Sequence, residues 1–151
     1  MNIDKSLILV SVAVLFKGGK HGRKESWFLV KHPEEDRWEM PKVTVRKGES
    51  SVRAALRMIA EKGAMTTKVI NEVGRAGGVT TLNGKILPQR YLYYFMKLRF
   101  FSKECVGFPE CLWLEYAQAV KKVSSKREKI MLKQARKMYK KWRKEIKNKK
   151  N

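Results

Sequence analysis

Three side chains spaced eight and four residues apart, Glu49, Arg57 and Glu61, are the groups in this chain best placed to do chemistry. Carboxylates gathered on one surface hold hard divalent cations, and a cation held there neutralises phosphate charge and lowers the pKa of a bound water. From Ser50 onward, Val52, Ala55, Leu56 and Ile59 recur at helical spacing, and either Ser50 or Ser51 can cap the helix. Residues three and four apart share a helix face, so positions 58, 61 and 62 converge on one point. They hold Met58, Glu61 and Lys62, one carboxylate and one permanent cation. Taken alone, Arg53, Arg57 and Glu61 also read as a solvated ion-pair row on an ordinary helix.

The segment Trp38 to Met65, WEMPKVTVRKGESSVRAALRMIAEKGAM, resembles a Nudix box. That pattern runs glycine, five residues, glutamate, seven residues, then Arg-Glu-apolar-any-Glu-Glu-any-Gly and an apolar residue. Pro41, Gly48-Glu49 and Arg57 set the register, and Glu49, Arg57, Ile59, Glu61 and Met65 match it. Val43, Met58, Lys62 and Ala64 stand where the family has glycine, glutamate, glutamate and glycine. The resemblance implies a loop, a helix and a loop whose glutamates hold magnesium or manganese against a diphosphate that water attacks. It implies Glu49, Arg57 and Glu61 as the catalytic set, with Arg57 orienting Glu49 and Glu61 surviving as a metal ligand. Further along, Glu110 lies three residues before Trp113, as in many Nudix domains, which implies Glu110, or else Glu104, as an additional metal carboxylate. With two of the three helix carboxylates missing, metal affinity is expected to fall steeply, and Mg or Mn is expected only in an active protein. If Lys62 replaces the charge of the metal, Lys42, Arg57 and Lys62 become a phosphate-binding set.

The fold that the resemblance implies is α/β, an α/β/α sandwich around a mixed β-sheet over about residues 5 to 136, followed by a basic C-terminal helix or tail. The residues themselves predict a buried strand at Leu7 to Phe16, ended by Gly18-Gly19, and a second at Trp27 to Val30 paired with it as a hairpin. Val69 to Val73 starts another strand, which Gly74 to Gly78 is expected to break. Asn83-Gly84 is a strong hairpin turn, and Arg90 to Phe101 alternates as a long strand. Helices are expected at Tyr116 to Val120 and Ser125 to Trp142. In the second, Met131, Ala135, Met138, Trp142 and Ile146 form a narrow apolar stripe. Docking is expected to about Met138, which divides the chain into a domain at 1–138 and a basic extension at 139–151 that either projects as a helix or is disordered.

Composition supplies the second signal. The net charge is +21, from 35 basic and 14 acidic residues. Fifteen Lys or Arg lie between Lys121 and Asn151 against Glu128 and Glu145, so more than half of the excess sits in the last fifth of the chain. Such a segment binds polyanions by releasing condensed counterions, and Lys137, Lys140, Lys141, Trp142, Arg143 and Lys144 are its candidate nucleic-acid contacts, with Tyr139 and Trp142 available to stack on bases. Nothing matches an RNA-recognition or helix-turn-helix motif. No run of eighteen apolar residues and no leader pattern is present, so a membrane partner is not expected and the cytoplasm is. Cys105 and Cys111 are expected as free thiols, and His21 and His32 as ordinary surface residues. Two readings follow: a Nudix-fold protein with an eroded box that binds nucleotide, RNA or a ribonucleoprotein, and an active divergent hydrolase of nucleoside diphosphate derivatives.

Overall fold

The computed structural model describes residues 7–101 and 105–149. Period-two alternation in the strands decides the architecture, because it gives the sheet two apolar faces that each need covering. Along β1 (Ile8–Lys17), Val10, Val12, Val14 and Phe16 point to one face and Ala13 and Leu15 to the other. Strand β2 (Ser26–Lys31) splits likewise into Trp27 and Leu29 against Phe28 and Val30. In β6 (Lys85–Phe101), Tyr93 and Phe95 oppose Leu92, Tyr94 and Met96.

The remaining strands are β3 (Trp38–Glu39), β4 (Lys42–Thr44), β5 (Met65–Leu82) and β7 (Cys111–Glu115). The central order is β3-β2-β1-β6-β5, with β4 also pairing with β1 and β7 with β2. Among the strands of the described residues, β1 and β6 alone run parallel, so the sheet is mixed, as expected. Helix α1 (Ser51–Gly63) covers the Leu15 face. Helices α2 (Tyr116–Lys122) and α3 (Lys126–Lys149) cover the Phe16 face, which completes the α/β/α sandwich.

Several expectations are corrected. Strand β5 is not broken by Gly74 to Gly78 but runs through them, pairing with β6 from Met65 to Leu82 with local register shifts. Gly74 is there for packing: a Cβ on it would lie 3.2 Å from the Met131 side chain of α3. The buried face of α1 is Ala54, Ala55, Met58 and Ile59, while Val52 is exposed. The helix is turned so that Met58 enters the core at 1% exposure. Cys105 and Cys111 are not free thiols; the turn between them brings their Cα atoms to 6.8 Å and they form a disulfide.

Helix α3 is continuous to Lys149. Met131, Leu132, Ala135 and Tyr139 are buried, and the ring centroids of Tyr139 and Trp142 lie 5.0 and 5.4 Å from that of Phe16, both edge-on. Aromatic pairs of this kind add about 0.5–1.5 kcal/mol each beyond the area they bury, so docking carries on one turn beyond Met138. Tyr139 is therefore unavailable to stack on a base, contrary to the sequence expectation. No helix among the described residues is long and apolar enough to cross a membrane.

The N-terminus of α1 is capped by Ser50, whose Oγ accepts the Arg53 N–H. Its C-terminus ends on Ala64 at φ 52°, in the left-handed region that disfavours a residue with a Cβ. Replacing Ala64 with glycine is expected to raise stability by about 0.5–1 kcal/mol. Urea unfolding of Ala64→Gly reads this as a raised midpoint at unchanged slope, and a lowered midpoint would contradict it.

Candidate functional site

The residues of the box are held in a chain of ion pairs. Gly48, at φ +79°, turns the backbone after β4 and delivers Glu49 to the side of α1. Arg57 donates from Nε to Glu49 Oε2 at 2.7 Å and from Nη2 to Oε1 at 3.1 Å, and the Arg46 N–H also donates to Oε1. The Arg57 guanidinium, aided by that N–H, holds the Glu49 carboxyl down at about 2. The same contact raises Arg57 above its ordinary value. Glu61 makes the weaker contact, 3.7 Å from Arg57 Nη1 and mostly exposed.

The other expected metal positions do not join Glu61. Met58 is in the core among Leu15, Phe28 and Met96. Glu110 is drawn away by Lys31, at 3.4 Å from its Nζ. Glu104 lies outside the described residues. Among the described residues, no group of three or more His, Cys, Asp or Glu could hold a metal ion. Among the described residues, the donor set thus does not fit the magnesium or manganese that the resemblance implies. A glutamate returned to position 58 would be buried without a partner, a situation that costs several kcal/mol.

Lys62 instead faces a cleft of about 1070 Å³. Its walls are β3, β4, the start of α3 and the turn from Val106 to Pro109. The turn sits directly on α1: Gly107 N–H donates to Lys62 O at 2.8 Å, and a Cβ on Gly107 would lie 2.5 Å from Lys62 Cα. Phe108 lies against Phe28 and beneath the Lys62 ammonium, 6.0 Å from its ring centre. Six cations line the cleft, Lys31, Arg37, Lys42, Lys62, Lys126 and Arg127, with the carboxylates of Glu39 and Glu128; Lys31 is also paired with Asp36 and Glu110, and Arg37 with Glu35. Tyr91 and Tyr93 supply aromatic wall.

Glu128 organises this cleft, and sequence reasoning missed it. Its side chain is nearly buried, accepts the Met40 N–H and lies 3.1 Å from Lys42 Nζ, with Glu39 at 3.2 Å on the other side. Burial pulls the Lys42 pKa down, but the two carboxylates more than offset it and leave it raised, so the ammonium is fixed and charged. Burial, then the Glu128 charge, pushes the Tyr93 hydroxyl up and keeps it neutral. The one available signal was that Glu128 is one of only two acids in a strongly basic segment.

Arg57 points to Glu49 rather than into the cleft, so of the expected phosphate set the cleft gathers Lys42 and Lys62. Val43, at the position where the family pattern has glycine, lies in β4 opposite Ser11. On α3, Lys137, Lys140, Lys141, Arg143 and Lys144 are exposed, and none forms an ion pair among the described residues. Trp142 is half-buried, with the Lys97 ammonium 5.2 Å from its ring centre and Phe16 beneath it.

No protein-family model and no curated protein matches the chain. Solved structures do. The Ap4A hydrolase of C. elegans superposes with a TM-score of 0.64 over 89% of this chain and 99% of that one, at 18% identity. The NUDIX domain of Shewanella oneidensis NrtR, crystallised with ADP ribose, gives 0.66 over 90% of each chain at 20% identity. A NUDIX hydrolase from Nitrosomonas europaea gives 0.61 over 85% and 88% at 14% identity. At such identities the likeness is one of fold, and the fold of this chain is the Nudix fold.

The Glu49–Arg57 pair makes a pH prediction. A carboxyl lowered from its ordinary value of about 4.5 to about 2 stabilises the fold fully above the ordinary value and loses that contribution as pH falls through 2. Carboxyl NMR titration should show Glu49 still ionised at pH 3, and Arg57→Ala should return it to the ordinary range. Titration near 4.5 in the unaltered protein would contradict the pairing.

Proposed function

We propose that this chain is a Nudix-fold binding module whose cleft takes the phosphates of a nucleotide on fixed lysine charge, with little or no hydrolysis, and whose basic surface engages RNA or a ribonucleoprotein. The observation that carries this reading is the exchange at the end of α1. Where the box pattern calls for carboxylates, Met58 is spent on the core and Lys62 presents an ammonium to a cleft that already contains Lys42.

Phosphate recognition without metal needs fixed positive charge and hydrogen-bond donors, since hydrogen bonds to charged groups contribute about 1.5–3 kcal/mol each. Lys42 meets that requirement because Glu39 and Glu128 hold its ammonium in place. Lys62 brings a second ammonium to the lining of the cleft, 6.0 Å from the Phe108 ring centre. Arg37 and Arg127 add guanidinium groups with donors beyond those they use on Glu35 and on Gly77 O. Tyr91 lines the cleft with the Arg127 guanidinium over its ring, 5.7 Å from the centre, so a base would stack there in place of, or beside, that guanidinium. That the NrtR domain was crystallised with ADP ribose supports a nucleotide-type ligand for a fold of this kind.

The alternative is an active divergent hydrolase with Mg or Mn at Glu61, using Glu49 and Arg57, and with Glu110 assisting. The C. elegans Ap4A hydrolase with the same fold supports it. The donor set counts against it, because losing metal ligands costs powers of ten in rate.

Calorimetric titration with ADP should detect binding to the unaltered protein. Lys62→Glu should weaken it by about ten- to a hundredfold, the equivalent of one charge-assisted contact. In parallel, turnover of nucleoside diphosphate derivatives with magnesium or manganese should not exceed that of Glu61→Gln. Turnover abolished by Glu61→Gln would establish the hydrolase reading instead.

A further inference from the structure

One lysine belongs both to the cleft and to the outer face of α3. Lys126 lines the cleft, and Lys133, Lys137, Lys140, Lys144 and Lys147 follow it along the helix, all exposed. At 100° per residue these six positions fall within an arc of about 80°, and at 1.5 Å per residue they extend over roughly 31 Å. Neither acidic residue of α3 falls on that arc: Glu128 is turned inward to Met40, and Glu145 lies about 100° or more from its centre. None of the six forms an ion pair among the described residues. Ile130 is the one apolar interruption.

We propose that the cleft holds the terminal nucleotide of a single-stranded nucleic acid and that the phosphates behind this end run along the lysine row of α3. The proposal rests on the nucleotide reading of the cleft and extends it from a free nucleotide to the end of a strand. Three observations favour this partner. The row starts inside the cleft, so a ligand seated there is led onto the helix without crossing an acidic surface. Lys133 follows Lys126 after about 10.5 Å, and from Lys133 onward successive lysines are about 4.5–6 Å apart along the axis, a nearly straight row that an extended single strand can follow. An anionic bilayer fits less well, because α3 has spent Met131, Leu132, Ala135 and Tyr139 on the core and keeps little apolar surface to insert.

The experiment uses the full chain and three probes: a linear oligonucleotide with a phosphorylated end, as RNA and as DNA; the same sequence circularised; and ADP. Linear strands should bind about tenfold or more tighter than circles, a difference of about 1.4 kcal/mol that only end recognition supplies. The triple variant Lys133→Gln, Lys140→Gln, Lys147→Gln should weaken strand binding and reduce the salt slope by about 2, at roughly 0.7 per lost phosphate contact. Its affinity for ADP should not change, since these residues are outside the cleft. Lys126→Gln should reduce the preference for linear strands.

If the triple variant keeps full strand affinity while ADP still binds, the α3 row is not the path and the proposal fails with the cleft reading intact. Equal affinity for circles and linear strands refutes end recognition. Absence of ADP binding refutes the cleft reading, and the proposal with it. Binding to phosphatidylserine vesicles with no binding to oligonucleotides would replace the nucleic acid with a membrane surface. RNA and DNA arms that both pass leave the shared phosphate chemistry in place, and a difference between them identifies the natural strand.

Discussion

In a chain whose cations exceed its carboxylates by 21, the buried carboxylates decide where the basic helix rests. Two of them do so. Glu128 accepts the Met40 N–H and pairs with Lys42, which fixes the start of α3 to the segment between β3 and β4. Glu25, 2% exposed, pairs with Arg136 at 2.7 Å and fixes the middle of the helix to β2. Breaking a buried pair by removing one partner costs about 3–5 kcal/mol because the survivor keeps its charge without compensation. That is a large part of the total stability of a single domain. The aromatic contacts of Tyr139 and Trp142 on Phe16 then extend the docking, and the cations on the far side of the helix are left to solvent.

The same constraint shapes the cleft. Because Glu128 holds Lys42 and α3 together, Lys126 and Arg127 are brought to the cleft that Lys62 also lines. On α1, the residues that the box pattern expects to bind metal have been reassigned. Met58 contributes apolar volume under the sheet, Glu61 makes a long contact to Arg57, and Lys62 replaces a carboxylate with an ammonium. Glu49 and Arg57 are joined by two hydrogen bonds, so the turn and the helix form one structural unit with Met58 and Lys62 beside them. At Ala64 the chain adopts a left-handed residue without the glycine that would adopt it freely.

The sheet and its helices were legible where the cause is local. The alternation in β1 and β6, the Asn83-Gly84 turn, the serine cap of α1 and the stripe of α3 can each be read from neighbours in sequence. Strand β5 was misread because the reason for Gly74 is Met131, a residue 57 positions later. The rotation of α1 was misjudged because Val52 and Met58 both suit an apolar face, and only the packed sheet chooses between them. Strands β3 and β4 are too short for a pattern. At the site, the resemblance to the Nudix box is what pointed to Glu49, Arg57, Lys42 and Lys62, whereas Glu39, Glu128 and Tyr93 depend on distant segments meeting. The disulfide was missed for that reason too, since its geometry comes from the turn resting on Lys62.

The central claim is that lysine charge, and not a metal ion, receives phosphate in this cleft. The most direct measurement is the affinity of the unaltered protein for ADP in EDTA compared with that in excess magnesium. Equal or weaker binding in magnesium is predicted, because the cation neutralises the phosphate charge that Lys42 and Lys62 read. Binding that requires magnesium, or that tightens more than about tenfold on its addition, would contradict the account.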